Sequence, residues 1–234
     1  ACSNKFNKTK SVRIFVKGSK FHKIIQHWNK LIYVEWNKNV GDVQLLFDNV
    51  KFTCEKANIP TLIQTSTKQV TVKFNKSELY LSNCAKPVYL SALATALFVD
   101  TKIVANGVTN RLIPCDDGRE VITLTGCKLE MVDCDGFASN CNNVTIDDSD
   151  ISATGLTASF INACAMTLKN GAKVVLGDSP NETVVMESAG FVAEDGSELN
   201  ISGMSTASGL SLSKASSVSA GADVSIDCPI VTSS

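Results

Sequence analysis

The stretch Val70-Thr-Val-Lys-Phe-Asn-Lys-Ser-Glu-Leu-Tyr-Leu-Ser82 contains two short apolar alternations separated by a polar corner. Apolar side chains at every second position lie on one face of a β-strand. Asn75 and Lys76, between the two alternations, suit a tight change of direction. The phrase recurs about eight times along the chain. One such rung cannot bury its apolar face alone, whereas stacked rungs can, so the pattern predicts a β-solenoid.

The spacing of the repeats indicates one solenoid turn per phrase. The last apolar residue before each corner recurs at steps of 27, 24, 26, 22, 22, 25 and 19 residues. Steps of this size and variability are typical of rungs that carry loops of different length. In the last three units the second strand begins one residue later, which predicts a longer corner near position 170. These marker residues are Phe47, Phe74, Phe98, Leu124, Ile146, Leu168, Ala193 and Leu212.

The predicted fold is therefore all-β, a single-stranded parallel β-helix (solenoid) of about eight rungs with a short N-terminal amphipathic helix as a cap. Residues 18–32 carry apolar side chains at i, i+3, i+4 and i+7, which predicts a helix with one apolar face. Such a helix can cover the open end of the stack or dock on a partner. We expect an N-terminal arm, strand and capping helix in residues 1–42, followed by the β-helix in 43–234, whose C-terminal part is rich in small residues.

Composition argues against several classes of function. The 234 residues have a net charge of −1, so the chain lacks the basic field that nucleic-acid binding normally requires. The sequence has no apolar run long enough for a transmembrane helix. It contains no GxGxxG, P-loop or HExxH motif, and no cofactor is expected.

The nine cysteines lie mostly within rungs rather than at paired loop positions. We expect most of them to be buried free thiols that act as small apolar side chains, with at most one disulfide. Free thiols favour synthesis in a reducing cytoplasm. Cys134 and Cys141 flank a short loop and can hold a metal or form a bridge, although their spacing from Cys127 matches no zinc pattern.

An acidic segment that begins at Asp116 supplies the candidate site residues. Neighbouring rungs lie about 4.8 Å apart, so acids from successive turns can come within reach of one another. Paired carboxylates suit glycoside hydrolysis and clustered ones suit a cation, but Asp also simply favours tight corners. The candidate catalytic residues are Asp117, Glu120 and Asp135; the candidate metal ligands are Asp116, Asp133 and Asp147; the candidate glycan-binding residues are Tyr80, Tyr89 and Arg119.

The phrases Gln69–Asn83 and Asn143–Ala153 resemble rungs of right-handed parallel β-helices, and the resemblance covers roughly residues 43–228. That superfamily includes phage tailspikes and fibres, pectate-lyase-like enzymes and β-helical adhesins. The catalytic motifs of the lyases do not match this chain residue by residue, so no active site is carried over. A weaker likeness exists to the intracellular β-helices of cyclase-associated proteins and tubulin cofactors.

Three functions are compatible with these observations. The first is a non-enzymatic structural or attachment protein, such as a phage fibre, spike or capsid decoration, made in the host cytoplasm and carried on the virion. Its expected partners are copies of itself, with a trimer favoured, or other virion proteins. The second is a secreted or cell-surface β-helix that binds or cleaves a polysaccharide, which would account for the acids. The third is an intracellular module that binds a cytoskeletal partner.

Overall fold

The structure, a computed structural model, describes residues 12–17, 20–24, 30–34, 42–55, 61–65, 69–91, 93–177, 186–194, 196–201, 210–212, 218–220, 223–226 and 230–232. Within these ranges the chain forms a parallel β-solenoid of about six turns and contains no helix. The strands are β1 (Val12–Lys17), β2 (Lys20–Ile24), β3 (Lys30–Val34), β4 (Val43–Asp48), β5 (Lys51–Glu55), β6 (Thr61–Thr65), β7 (Val70–Asn75), β8 (Glu78–Ser82), β9 (Val88–Tyr89), β10 (Thr95–Val99), β11 (Lys102–Asn106), β12 (Ile113–Pro114), β13 (Val121–Thr125), β14 (Lys128–Val132), β15 (Ala138–Ser139), β16 (Asn143–Asp147), β17 (Asp150–Thr154), β18 (Ile161–Lys169), β19 (Lys173–Gly177), β20 (Met186–Ala193), β21 (Glu198–Ile201), β22 (Leu210–Leu212), β23 (Val218–Ala220), β24 (Asp223–Ile226) and β25 (Ile230–Thr232).

Each turn passes through three sides in the same order. Sheet A contains β4, β7, β10, β13 and β16, and sheet B contains β5, β8, β11, β14, β17 and β19. The third side begins as sheet C, with β6 and β9, and continues through the short paired strands β12 and β15. The long strands β18 and β20 run from the third side into sheet A, so the two sides merge there. At the N-terminal end, β1, β2 and β3 extend the three sheets across the expected domain boundary at residue 42.

The repeat predicted from the sequence is confirmed in its register. The markers pair with one another from turn to turn, beginning with Phe47 opposite Phe74 and ending with Leu168 opposite Ala193. The side chains of all seven markers from Phe47 to Ala193 are buried. The first six spacings between markers that the sequence shows are therefore the numbers of residues in six successive turns.

The core is a column of stacked side chains that the parallel register creates. The rings of Phe47 and Phe74 stack with centroids 4.9 Å apart, and those of Phe74 and Phe98 stack at 5.2 Å. Phe52, on sheet B, packs edge-on against Phe47 at 5.4 Å. Aliphatic side chains continue the same column through the later turns. Identical positions in successive turns thus form continuous apolar contacts.

The corners between sheets A and B, here called the first corner, require a left-handed backbone. Asn49, Lys76, Asp100 and Asp148 all have φ between 46° and 53°. Asn and Asp tolerate this region better than most residues, which explains their recurrence. Each of their backbone N–H groups donates to a carbonyl of the following turn, so the corners form a hydrogen-bonded ladder of their own.

A longer first corner occurs where the sequence predicted one. Asn170 and Gly171 both have positive φ, and Ala172 N–H donates to the Lys169 carbonyl at 3.2 Å. The second strand of this turn consequently begins one residue later, with Val174 in the position that Ile151 occupies in the turn before.

The predicted capping helix over residues 18–32 is wrong wherever the structure describes this segment. Lys20–Ile24 and Lys30–Val34 are strands that pair in parallel with β5 and β6, while residues 18–19 and 25–29 lie outside the described ranges. The edges of β5 and β6 present backbone groups that only an extended segment can satisfy. Pairing with these strands therefore determines the structure of the described parts of this segment, although their apolar residues have helical spacing.

The last predicted rung is also corrected. The marker Leu212 and the later second strand of the last units predict that Leu210–Leu212 and Val218–Ala220 are the first and second strands of one turn. Instead they pair with the first and second halves of β20. The second strand of this turn is Asp223–Ile226, which pairs with β21. The reason is that β20 itself spans two sides of the solenoid, which the sequence pattern does not reveal.

Substitution of Ile146 by Asp should lower the free energy of unfolding by several kcal/mol, because an unpaired charge would enter the fully buried column. The matched control is Thr145→Asp, one residue earlier on the same strand and on the outer face. We expect the control to change the unfolding free energy by less than about 1 kcal/mol in urea titrations. Equal effects of the two substitutions would contradict the assigned faces.

Gly126→Ala should destabilise the protein more than Gly118→Ala, by about 1–2 kcal/mol in the same measurement. Both glycines have positive φ, but a Cβ at Gly126 would lie 2.6 Å from Asp100 Oδ1, whereas one at Gly118 meets no atom within 4 Å. Adding Asp100→Gly removes the obstructing oxygen and should recover part of the loss. A double variant no more stable than Gly126→Ala alone would show that this contact is unimportant.

Candidate functional site

The candidate metal ligands lie on three different corners of the solenoid. Asp147 ends a strand of sheet A at the first corner, and Asp133 follows a strand of sheet B at the corner between sheets B and C, the second corner. Asp116 lies at the third corner, between sheets C and A. Among the described residues, no group of three His, Cys, Asp or Glu side chains is placed to hold a metal ion.

The candidate catalytic residues are only partly brought together. Asp117 and Glu120 share the third corner, whereas Asp135 lies at the second corner and accepts a hydrogen bond from the Thr157 hydroxyl. The sequence pattern did not predict that Asp135 lies apart from Asp117 and Glu120. Side chains of neighbouring turns come together only when they are a whole turn apart in sequence. Asp117 and Asp135 differ by 18 positions, fewer than the 20 residues of the shortest described turn.

The third corner is a hydrogen-bonded loop, residues 115–120, between β12 and β13. Gly118 N–H donates to the Asn140 carbonyl, and the Glu120 carbonyl accepts from Asn142 N–H, both at 2.8 Å. These contacts anchor the loop to the following turn. The side chains of Asp116, Asp117 and Arg119 remain exposed on it.

An ion pair organises the exposed side of this loop. Arg119 Nε and Nη2 both donate to Asp117 Oδ2, the former at 3.0 Å, and the Arg119 backbone N–H donates to Asp117 Oδ1. The hydrogen bonds from Arg119 lower the pKa of Asp117 and thus favour its charged form. Arg119, a candidate glycan contact, is therefore already engaged by a neighbour within its own loop.

Glu120 is fully buried beneath the loop. Its Oε2 accepts from Arg119 N–H at 3.1 Å, while its Oε1 has no hydrogen-bond partner among the described residues. Burial raises the pKa of Glu120, and the neighbouring Asp117 carboxylate raises it further. The environments of the two carboxyl groups thus shift their pKa values in opposite directions, down for Asp117 and up for Glu120.

Tyr89 joins this site from the preceding turn. Its hydroxyl donates to the Asp116 carboxylate, and Lys86 Nζ lies 5.1 Å from the ring centroid. Burial and the hydrogen bond to Asp116 raise the pKa of Tyr89 to about 12. Tyr89 and Arg119, two of the three candidate glycan contacts, therefore lie at the same corner.

Tyr80, the third candidate glycan contact, lies on the outer face of sheet B, away from this corner. Lys51 Nζ is 4.4 Å from its ring centroid, and Lys102 Nζ approaches at 5.9 Å. The ring is therefore flanked by cations from the turns before and after it, which stabilise it through cation–π contacts.

All seven described cysteines are buried free thiols, as the sequence predicted. Burial raises the pKa of Cys127 to about 11, and the pKa values of Cys134 and Cys164 are raised as well. Cys134 and Cys141 lie at the second and third corners, so they do not close one loop as a pair. The sulfur atoms of Cys54 and Cys84 lie 3.0 Å apart.

Arg111 is a structural residue that the sequence did not single out. Its Nη1 donates to the carbonyls of Ala138 and Ser159, and its Nη2 donates to Ser159 Oγ at 3.0 Å. A Cβ at Gly136 would collide with the Ser159 carbonyl and with this guanidinium. One side chain thereby connects three turns at the second corner, and no local motif could have indicated it.

Comparisons with known proteins assign no family to this chain. No known family profile matches the chain. No curated protein and no solved structure shows significant similarity to it. Among the described residues, no helix is long and apolar enough to cross a membrane.

Glu120→Gln should raise the melting temperature by a few degrees at pH 7–8. The folded state holds the Glu120 proton more tightly than the unfolded state, whose pKa is near 4.5, so stability falls as the pH rises from that value through the folded pKa. Glutamine resembles the protonated carboxyl and removes this loss, so the difference should vanish near pH 4. Glu130→Gln is the control, because Lys128 lowers the pKa of Glu130. A less stable Glu120→Gln protein at pH 7 would show that the buried group is ionised.

The described cysteines should resist alkylation in the native protein and react only after denaturation, because all seven are buried and burial raises the pKa of Cys127 and Cys134. Peptide mass spectrometry after brief treatment with iodoacetamide measures each site separately. A cysteine introduced by Ser152→Cys on the exposed face of sheet B is the positive control. Rapid native labelling of Cys127 or Cys134 would contradict the packing described above.

Proposed function

We propose that this chain is a non-enzymatic structural or attachment protein, most consistent with a virion component such as a phage fibre, spike or capsid decoration. The observation that carries the proposal is the unbroken parallel register between β4 and β18, in which every turn continues the three sides of the turn before it. A continuous hydrogen-bonded stack with a filled core resists bending and shear. Stiffness of this kind suits a spacer or a fibre.

The buried thiols support the same role. Seven cysteines occupy core positions as free thiols, which suits a protein made and assembled in a reducing cytoplasm before release. The stack needs no disulfides, because rung-to-rung hydrogen bonds and core contacts hold it together.

A second candidate function, binding of a carbohydrate, is favoured by the third corner. Tyr89, Arg119 and two exposed carboxylates lie there around one loop. Cleavage is less well supported than binding. Glycosidases leave two carboxyl groups about 5–10 Å apart open to the substrate, whereas Glu120 is fully buried beneath the loop and Asp117 is paired with Arg119.

The test is to incubate the intact chain with a panel of acidic and neutral polysaccharides and to measure both new chain ends and binding. We expect no cleavage, and we expect Asp117→Ala and Asp135→Ala to leave any binding unchanged. Cleavage that is lost in Asp117→Ala would replace this proposal with an enzyme. Binding that is lost in Arg119→Ala but retained in Tyr80→Phe would establish the carbohydrate-binding alternative.

The virion role has a direct test of its own. An antibody against the chain should label virus particles from the source of the sequence in electron micrographs. Labelling confined to cell walls or to secreted material would contradict the virion assignment.

A further inference from the structure

The outer face of sheet A differs in character from the outer face of sheet B. In the turns between β4 and β18, the outward positions of sheet A are mainly Thr, Val, Leu and other uncharged residues. The outward positions of sheet B over the same turns carry more charged side chains of both signs, with ion pairs such as Lys51–Glu78 at 3.3 Å. The charged side chains on this part of sheet A are Asp48, Lys73, Asp147 and Lys169, of which Asp147 and Lys169 also form an ion pair at 3.3 Å within the chain.

These four charges are arranged symmetrically about the middle of the face. Along the stack, Asp48 lies in the first turn and Lys73 in the second, while Asp147 lies in the fifth and Lys169 in the sixth. The order is therefore negative, positive, neutral, neutral, negative, positive. If a second copy of the face is laid on the first with its turns in the reverse order, each charged turn meets a turn of opposite charge. If the two copies have their turns in the same order, like charges meet.

We propose that two copies of this chain pair through the outer faces of sheet A, related by a two-fold axis parallel to the strands. Such an axis reverses the order of the turns in the second copy but keeps the direction of its strands. Each outward position of a strand therefore faces the same outward position, or column, of the other copy. Asp48 then faces Lys169 of the second copy, because the two residues share one column. Lys73 lies two residues along the strand, which is one outward position, from the second copy's Asp147.

The centre of the proposed interface is uncharged. The third and fourth turns face each other across the axis, which places Leu97 opposite Thr123 and Val99 opposite Thr125 of the second copy. These side chains are half-buried in the single chain, and pairing would remove their remaining apolar surface from water.

The face is large enough for a specific interface. Six turns at about 4.8 Å and strands of about five residues at about 3.3 Å outline a patch of about 500 Å² per copy. The total of about 1,000 Å² reaches the lower limit for specific association. The register between these turns has no bulge, so the patch is continuous.

The first experiment measures the mass of the intact chain by sedimentation at micromolar concentrations. We expect a species of twice 25.0 kDa. Thr123→Arg, at the centre of the face, should shift it to the monomer, while Ser152→Arg on sheet B should leave it unchanged. A wild-type monomer would overturn the proposal, as would a trimer or any oligomer that Thr123→Arg leaves intact.

Charge exchange then tests the register of the pair. Asp48→Lys and Lys169→Asp should each weaken association about tenfold, because each acts at both symmetry-related ends of the interface. The double variant should restore the wild-type affinity. Failure of the double variant to recover would exclude this antiparallel arrangement, and circular dichroism verifies that each variant is folded.

This pairing deepens the structural role proposed above but can fail independently of it. A chain that is monomeric and inert toward polysaccharides would refute the pairing alone. A dimeric chain that cleaves a polysaccharide would refute the proposed function alone.

Discussion

The backbone hydrogen bonds that join each turn to the next in parallel are the interaction on which the whole molecule depends. Because the strands are parallel, each side chain lies against the residue at the same position of the neighbouring turn. Inside, this arrangement produces the column that begins with Phe47 and Phe74. Outside, it would place like charges together, and the alternation of Lys51 with Glu78 and of Lys173 with Glu198 avoids that repulsion.

The corners obey the same constraint. The corners of successive turns contain residues with positive φ. The side chain of such a residue can lie close to the residue at the same corner of the next turn. Where Asp100 occupies the first corner, the next turn has Gly126, and Asn83 at the second corner is likewise followed by Gly107. In each case a Cβ on the glycine would lie 2.6 Å from the side-chain oxygen below it. The alternation of Asn or Asp with Gly therefore follows from packing between turns as much as from the turn geometry itself.

The same stacking shapes the candidate site. Asp117 and Arg119 pair within one loop, Tyr89 reaches Asp116 from the turn before, and Glu120 is buried beneath them. Most of the polar groups are thus paired inside the protein, which suits a stable surface feature more than a site poised for reaction. The buried Glu120 is the exception, since its Oε1 has no partner among the described residues.

The sequence alone determined the alternation, the inward column and the lengths of six successive turns, because a period of two and the recurrence of corners are local properties of the chain. It also indicated the longer corner at Asn170 and Gly171 and the buried thiols. Only the tertiary structure decided the third side of the solenoid, whose strands, such as Ile113–Pro114, are too short to show a pattern. It alone turned Lys20–Ile24 into a strand and distributed Asp116, Asp133 and Asp147 over three corners. These outcomes depend on which residues meet across turns. Hydrogen bonding between segments 20 to 31 residues apart sets that register, and no local sequence does.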